Sequence, residues 1–289
     1  MRQITKAILP VAGFGTRFLP ATKAQPKEML PIVDKPAIQY IVEDAVSAGI
    51  KEIIFVTGRG KRAIEDHFDY SFELDKTLVE KNKLELVKEV RRIAELAKFS
   101  YVRQPLPLGD GHALACAAHL VYDEPVLVMF GDTLYDAKEG PASQILKTFA
   151  KYGDSVIGLS AVPRSEVSKF GVIDGVAVDE RIYEIKRFIE KPLPSEAPSN
   201  LVAVGIYVLT PEVLSWLTTM RPGPSGELRL ADAFQQMLAH DRPLYGQEFN
   251  GTWLDTGDKL GFIKATIQLG LKNKEIGPEL KKFIKTLSL

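Results

Sequence analysis

The sequence of 289 residues is poor in cysteine and has no excess of either charge. Its single cysteine, Cys116, cannot form an internal disulfide, which fits a reducing compartment. Lysine and arginine total 37, as do aspartate and glutamate, and this balance argues against binding to a nucleic-acid backbone. No apolar run is long enough to span a bilayer, and the N-terminus lacks the layout of a signal peptide. We therefore expect a cytoplasmic protein without membrane or nucleic-acid partners.

Familiar catalytic motifs are also missing. No serine lies in a nucleophile-elbow motif, and the histidines do not have the spacing of a metal site. We expect structural or surface roles for the four histidines, His67, His112, His119 and His240.

Short apolar strands alternate with amphipathic helices in the first part of the chain. Residues 6–12 and 51–57 predict strands, and the helix between them has Pro36 in its first turn. Such a βαβ unit requires a parallel pair of strands. The alternation continues to residue 165, with helices predicted at 74–96, 111–121 and 142–152 and strands at 100–102, 125–130 and 155–162. The pattern predicts an α/β fold with a doubly wound, mainly parallel, Rossmann-like sheet.

The pattern changes near Phe170. Residues 170–189 predict short strands separated by turns, one of them at Asp174-Gly175, and residues 201–209 predict a strong strand. Further helices are predicted at 211–217, at 228–239 and over most of 258–287. Because no low-complexity linker or repeat divides the chain, we predict one domain over residues 1–289. It has a small additional β region and a helical C-terminal part.

A glycine-rich segment, Gly13-Phe14-Gly15-Thr16-Arg17, follows the first strand. Such a turn lets backbone N–H groups approach a phosphate or a base without interference from Cβ atoms. A dinucleotide-binding loop would have a third glycine, and the lysine motif of a P-loop is absent. The remaining interpretation is a loop that places Arg17 on a triphosphate, with Lys27 as a second cation.

Together with Pro26-Lys27-Glu28-Met29-Leu30-Pro31, this loop resembles the signature of sugar-1-phosphate nucleotidylyltransferases. The Lys-Glu-Met-Leu-Pro version is similar to the bacterial UTP–glucose-1-phosphate uridylyltransferases, also called UDP-glucose pyrophosphorylases. The resemblance covers nearly the whole chain, through Gln104 with 109–113, Gly131-Asp132, 170–172, 190–192 and 200–207.

The resemblance implies an activity and a division of labour. UMP would pass from UTP to α-D-glucose 1-phosphate, which gives UDP-glucose and pyrophosphate, with Mg²⁺ as the cofactor. Residues 1–165 would form the nucleotide-binding half and residues 166–257 the sugar-phosphate-binding half. The helical tail, residues 258–289, would offer contacts for a homo-oligomer, a dimer or tetramer.

Two aspartates are candidate magnesium ligands. Asp132 follows a buried apolar strand, where a carboxylate is as readily a helix N-cap as a metal ligand. The resemblance favours Mg²⁺ at Asp132, although the family often has a proline where this chain has Gly131. Asp255 also resembles a family position that helps to bind metal in some branches, and helix capping is an equally open interpretation.

The resemblance also assigns the binding residues. Gln104 would read the uracil edge, a match for an amide that both donates and accepts. On its residue type alone, Gln104 is more readily an ordinary polar strand end. The nucleotide would further contact Ala12, Gly13, Gly15, Thr16, Gly109 and Gly111, and the sugar would contact Gly171, Glu190, Lys191, Val204 and Gly205.

The implied reaction is a direct in-line attack of the sugar phosphate on the α-phosphorus of UTP. Arg17 and Lys27 would hold the triphosphate, Lys191 would aim the sugar phosphate, and Asp132 would hold the metal. Three alternatives stay open: transfer from another nucleotide such as dTTP, a sensor that binds without turnover, and a Rossmann oxidoreductase.

Overall fold

Strands and helices alternate through residues 3–287, the part of the chain that this computed structural model describes. The strands are β1 (Lys6–Pro10), β2 (Pro31–Ile32), β3 (Lys35–Pro36), β4 (Glu52–Thr57), β5 (Lys98–Arg103), β6 (Val126–Met129), β7 (Thr133–Asp136), β8 (Val156–Ala161), β9 (Gly171–Asp179), β10 (Ile182–Glu190), β11 (Leu201–Leu209), β12 (Tyr245–Glu248) and β13 (Thr252–Asp255). The α-helices are α1 (Ala37–Ser47), α2 (Arg62–Phe68), α3 (Phe72–Glu80), α4 (Leu84–Ala94), α5 (Asp110–Val121), α6 (Pro141–Tyr152), α7 (Pro211–Thr219), α8 (Leu230–Ala239), α9 (Lys259–Lys272) and α10 (Gly277–Thr286). Within this range no helix combines the length and the apolar character that a membrane crossing requires.

A nine-stranded sheet in the order β5-β4-β1-β6-β11-β8-β12-β10-β9 forms the centre of the molecule. Its two faces are covered by helices, α1 and α6 on one side and α5, α7 and α8 on the other. Strands covered on both faces bury nearly every side chain, which explains the continuous apolar runs of β4 and β6. Two short ribbons, β2–β3 and β7–β13, lie outside this sheet.

The sheet is mixed, which corrects the expectation of a mainly parallel one. β5, β4, β1 and β6 are parallel, as the alternation of strands and helices predicted. β11, however, lies between β6 and β8 and is antiparallel to both. The order of strands along the chain does not show this, because β11 reaches the sheet only after the β9–β10 hairpin has reversed the chain. The α/β class is confirmed, and the parallel arrangement holds for β5, β4, β1 and β6 and for the pair β8–β12.

Two local predictions were wrong. No turn occurs at Asp174-Gly175, since β9 runs through this pair and the hairpin turns at Glu180 and Arg181. Asp174 pairs instead with Arg187 across the two strands, with the guanidinium Nε 2.9 Å from Oδ2. The helix predicted over 74–96 is split into α3 and α4, because Asn82 takes a left-handed conformation between them.

A carboxylate on α1 caps the start of α6. Asp44 Oδ2 accepts a hydrogen bond from the backbone N–H of Ala142 at 3.1 Å. The N-cap residue of α6, Gly140, has no side chain for this purpose, and a Cβ atom there would overlap Asp44 Oδ1. Burial raises the pKa of the Asp44 carboxyl to about 6, with the Ala142 N–H opposing the rise.

Replacing Asp44 with asparagine should make the protein relatively more stable as the pH rises from 4 to 7. A carboxyl with a raised pKa costs the folded state stability above its unfolded pKa of 3.8, up to about 3 kcal/mol once the pH passes about 6. Asparagine keeps an oxygen for Ala142 and does not titrate. Urea unfolding of both proteins at several pH values gives the difference directly. A difference that stays constant across this range would contradict the raised pKa of Asp44.

Candidate active site

The glycine-rich segment continues β1 at the carboxyl edge of the parallel strands, where ligands bind in open α/β sheets. Gly13 lies open, with nothing within 4 Å of where a Cβ atom would be. Gly15 takes a left-handed conformation with φ of 64°, and a Cβ atom there would lie 3.1 Å from Cβ of Lys27. The segment that carries Arg17 is therefore packed directly against the segment that carries Lys27.

Arg17, Lys27, Asp132 and Asp255 meet at one place. Lys27 Nζ donates to Asp132 Oδ2 at 2.5 Å. A Cβ atom added to Gly257 would lie 3.2 Å from Asp132 Oδ2, 3.4 Å from Arg17 Nη1 and 2.9 Å from Asp255 Oδ1. Arg17 Nη1 also donates to the carbonyl of Gly257 at 3.4 Å. The two cations and the two acids therefore form one cluster beside Gly257.

Neither aspartate caps a helix in this fold. Asp132 is followed by strand β7, and its backbone carbonyl accepts hydrogen bonds from Thr256 N at 3.1 Å and Thr256 Oγ1 at 2.8 Å. Asp255 ends β13 and accepts the N–H of Gly257 at 2.8 Å. The cap of α9 is Asp258, which accepts from Gly261 N. The capping interpretation is thus wrong for both residues.

The electrostatics of this place favour a bound cation. Burial alone would lower the pKa of the Lys27 ammonium, but the Asp132 and Glu28 carboxylates outweigh it and raise that pKa. Burial, and after it the charge of Asp132, raise the pKa of the Asp255 carboxyl. The charged form of the Asp255 carboxyl would be stabilised by any positive charge placed beside it.

The acids fit Mg²⁺ better than a metal that needs a full protein shell. Among residues 3–287, no group of three or more histidine, cysteine, aspartate or glutamate residues could hold a metal. Asp132 and Asp255 converge as a pair, and Oδ1 of Asp132 has no hydrogen-bond donor within the described range. Mg²⁺ takes one or two carboxylates and completes its shell with water and phosphate oxygens.

A cavity of about 270 Å³ extends from this cluster to the residues predicted for the sugar. Of the predicted site residues, it is lined by Arg17, Asp132, Asp255, Gly171, Glu190, Lys191, Val204 and Gly205. Lys27 does not line the cavity itself but is bonded to Asp132, which does. The structure places the remaining predicted residues outside this lining: Ala12, Gly13, Gly15, Thr16, Gln104, Gly109 and Gly111.

Backbone conformation shapes the sugar end of the cavity. Lys191 has a φ of 47°, which is unusual for a residue with a side chain. Its backbone N–H donates to the backbone carbonyl of Phe170 at 3.0 Å. Its Nζ lies 3.4 Å from Glu190 Oε1. Gly205, with φ of 76°, lies at an irregularity of β11, and its carbonyl accepts the N–H of Phe130 at 2.8 Å. Gly205 thus joins β11 to the end of β6, which precedes Asp132, and Lys191 joins the end of β10 to the residue before β9.

The region predicted for the base is partly occupied by internal contacts. Gln104 Nε2 donates to the carbonyl of Gly109 at 2.9 Å and lies 3.1 Å from His112 Nδ1. A Cβ atom on Gly109 would overlap the carbonyl oxygen of Leu228, and one on Gly111 would lie 2.9 Å from the same atom. Close packing against Leu228 therefore explains why both positions are glycine, and the sequence analysis did not identify this cause.

The comparisons with known proteins show the family of this chain. The nucleotidyl transferase family model matches residues 6–270. The chain belongs to this family. The family recognised from the two motifs near the N-terminus is therefore confirmed.

Relatives of this nucleotidyl transferase are similar over their whole length. The chain is 47% identical over 287 residues to a UTP–glucose-1-phosphate uridylyltransferase of Bacillus subtilis (strain 168), which covers 99% of this chain and 98% of the relative. It is 48% identical over 287 residues, 99% of each chain, to the uridylyltransferase of Staphylococcus haemolyticus (strain JCSC1435). A UDP-glucose pyrophosphorylase complexed with UDP-glucose superposes with a TM-score of 0.85 and 41% identity, over 93% of this chain and 100% of that one. UTP-bound UGPase from Acinetobacter baumannii superposes with a TM-score of 0.91 and 39% identity, over 99% and 100% of the two chains.

A buried ion pair beneath the site of this nucleotidyl transferase was missed by the sequence analysis. Lys61 Nζ donates to Glu28 Oε2 at 2.8 Å, and the side chains are only 6% and 1% exposed. Burial raises the pKa of the Glu28 carboxyl, while the ammonium groups of Lys61 and Lys27 oppose the rise. A Cβ atom at Gly131 would lie 2.7 Å from Cγ of Glu28. The pair thus supports both Lys27 and the Gly131-Asp132 turn, and the signal for it was Gly58-Arg59-Gly60-Lys61 at the same sheet edge.

Proposed function

We propose that the protein transfers UMP from UTP to α-D-glucose 1-phosphate and releases pyrophosphate. The observation that carries this proposal is the cluster of Arg17, Asp132 and Asp255, with Lys27 bonded to Asp132, at one end of the cavity that Glu190 also lines. The names of the relatives and the UDP-glucose and UTP of the superposed structures support the choice of substrates.

The geometry supports an in-line displacement without a general base. An oxygen of the sugar phosphate, already anionic, forms a bond to the α-phosphorus of UTP, while the bond from that phosphorus to the β-phosphate oxygen breaks and pyrophosphate leaves with its electron pair. Catalysis of such a step consists of positioning and charge neutralisation. Arg17 and Lys27 supply positive charge for the triphosphate, and Lys191 supplies it for the sugar phosphate.

Asp132 and Asp255 are the residues that would hold Mg²⁺. When bound there, Mg²⁺ would neutralise phosphate oxygens of both substrates. Lys27, bonded to Asp132, then holds that carboxylate in a fixed orientation and remains a cation next to it.

We assign the base and the sugar to the two ends of the site. For the uracil we retain Gln104, whose Oε1 is free of the contacts made by Nε2, with the backbone of Ala12, Gly13 and Gly109 around it. Gly15, Thr16 and Gly111 belong to the same loops. At the other end, Glu190 would accept hydrogen bonds from sugar hydroxyls, beside Gly171, Val204 and Gly205.

A homo-oligomer, a dimer or tetramer, is part of this proposal. Leu260, Ile263, Ile267 and Leu271 recur at helical spacing on α9 and are all at least 40% exposed. An apolar stripe of this kind is suited to a contact with a second copy of the chain. Light scattering on the purified protein gives the mass, and a monomer at micromolar concentration would exclude the oligomer. We also retain a cytoplasmic location, which the lone cysteine supports.

A pyrophosphate-release assay with Mg²⁺ tests the function. We expect turnover with UTP and glucose 1-phosphate, and none when either substrate or the metal is left out. The matched reactions contain dTTP or ATP in place of UTP, and kcat/KM for UTP should exceed both. Binding of UTP without pyrophosphate release would show a sensor instead of an enzyme, and faster turnover with dTTP would make it a thymidylyltransferase.

A further inference from the structure

The Asp110 side chain joins two helices at the wall of the active-site cavity. Its Oδ1 accepts the N–H of Gly111 at 2.7 Å and the N–H of Leu230 at 3.0 Å. The first contact lies in the opening turn of α5 and the second at the start of α8. One carboxylate oxygen is therefore fully used by the fold.

The second oxygen of Asp110 is not used by the fold. Within the described residues, no hydrogen-bond donor contacts Oδ2, although Asp110 lines the cavity. Each cation of the cavity lining is engaged elsewhere: Arg17 with the Gly257 carbonyl, Lys169 with Glu166, Lys191 with Glu190 and Arg229 with Glu227.

Asp110 is partly buried, and its Oδ2 remains open to a ligand in the cavity. Burial raises the pKa of the Asp110 carboxyl, and the charge of Glu190 adds to the rise, against the Leu230 and Gly111 N–H groups. Such an acceptor can exchange water for a hydrogen-bond donor of the ligand. A phosphate group would be repelled here by two carboxylates, whereas a neutral hydroxyl donor would be bound.

We propose that Asp110 is a specificity-determining residue whose Oδ2 accepts a hydrogen bond from a hydroxyl group of the bound hexose. The inference rests on the proposed function, because it takes the hexose 1-phosphate as the ligand of this cavity. Glu190 and Tyr207 line the cavity with Asp110, so the hexose ring meets a wall of acceptors at one end and cations at its phosphate. Asp110 thus discriminates among sugars by the hydroxyl it requires.

Deoxy sugars and the variant Asp110→Asn test the role together. Asparagine keeps one oxygen for Gly111 and Leu230 and replaces Oδ2 with an amide that donates. The substrates are glucose 1-phosphate and its 2-deoxy, 3-deoxy, 4-deoxy and 6-deoxy analogues, at saturating UTP. In the wild type, one analogue should lose about tenfold or more in kcat/KM beyond the others. In Asp110→Asn that penalty should shrink to about twofold, with KM for UTP changed less than about twofold.

The quantity compared is the ratio of kcat/KM for two sugars, measured on one protein preparation. A lower fraction of folded protein reduces both values equally and does not change the ratio. Asp232→Asn is the matched control, because Asp232 Oδ2 accepts the N–H of Arg229 at the same start of α8 but does not line the cavity. Its deoxy-sugar penalties should equal those of the wild type. If the deoxy-sugar penalties in kcat/KM were unchanged in Asp110→Asn, the proposal would be overturned, and Asp110 would only connect the starts of α5 and α8. Failure of the wild type to release pyrophosphate with any of these sugars would instead reject the proposed function itself.

Discussion

Replacing Asp132 with asparagine lowers kcat by about a hundredfold or more and leaves the fold intact. The side chain lies between Lys27 and the space shared with Arg17 and Asp255, so its negative charge is what holds the cations there. Asparagine can still accept from Lys27, but it no longer attracts a divalent cation. The fold survives because Thr256 binds the backbone carbonyl of Asp132 and not its carboxylate.

The measurement is kcat for pyrophosphate release over a titration with Mg²⁺, together with a thermal unfolding curve. Asp136→Asn is the control, since Asp136 lies in the strand that follows but bonds Lys272 at 2.6 Å and Gln268 at 2.8 Å. We expect its activity within about twofold of the wild type. A near-wild-type rate for Asp132→Asn at saturating Mg²⁺ would remove Asp132 from the mechanism.

Replacing Lys61 with methionine should cost about 3 to 5 kcal/mol in the free energy of unfolding at neutral pH. The change leaves the carboxylate of Glu28 buried without the partner 2.8 Å away. Glu28 then turns to Lys27, the other ammonium group near it, and Asp132 loses part of its contact. The variant should therefore also show a lower kcat.

The pH dependence identifies the cause. The pKa of Glu28, already raised by burial, rises further without Lys61, so the folded variant takes up a proton as the pH falls. The stability deficit should shrink between pH 8 and pH 5, and the double variant with Glu28→Gln should recover part of it. Urea unfolding provides both numbers. Lys88→Met, which removes an exposed pair with Glu85, should cost less than about 0.5 kcal/mol, and an equal loss in both variants would contradict the role of burial.

The first half of the fold could be predicted from the sequence, because each strand there leads into a helix and returns parallel. The strand ends then place the loop at Arg17 and the turn at Asp132 on one edge without further information. The sequence could also single out Arg17, Lys27, Asp132 and Asp255, since their motifs are short and continuous, and the structure places these four residues close together. The α/β class and the family were confirmed, while the individual roles stay predictions.

The remainder depended on contacts between distant residues. The sequence of residues 201–209 does not indicate that β11 is antiparallel to its neighbours. The conformation of Gly205 depends on its contact with Phe130, which is distant in the chain. Asp174-Gly175 has the composition of a turn, but the pairing with β10 overrides that preference. Lys61 was passed over because a lysine beside a helix is usually exposed, and only the position of Glu28 shows that it is buried.

The position of β11 decides whether the chain could be divided into working parts. β11 hydrogen-bonds β6 on one side and β8 on the other, and it also pairs with β9 through Val202 and Val172. A fragment ending at residue 165 would leave β8 without either of its neighbours and β6 with an open edge, both prone to aggregation. The two parts of the chain predicted to bind the nucleotide and the sugar are consequently joined through β11, and we expect neither of them to fold as a separate module.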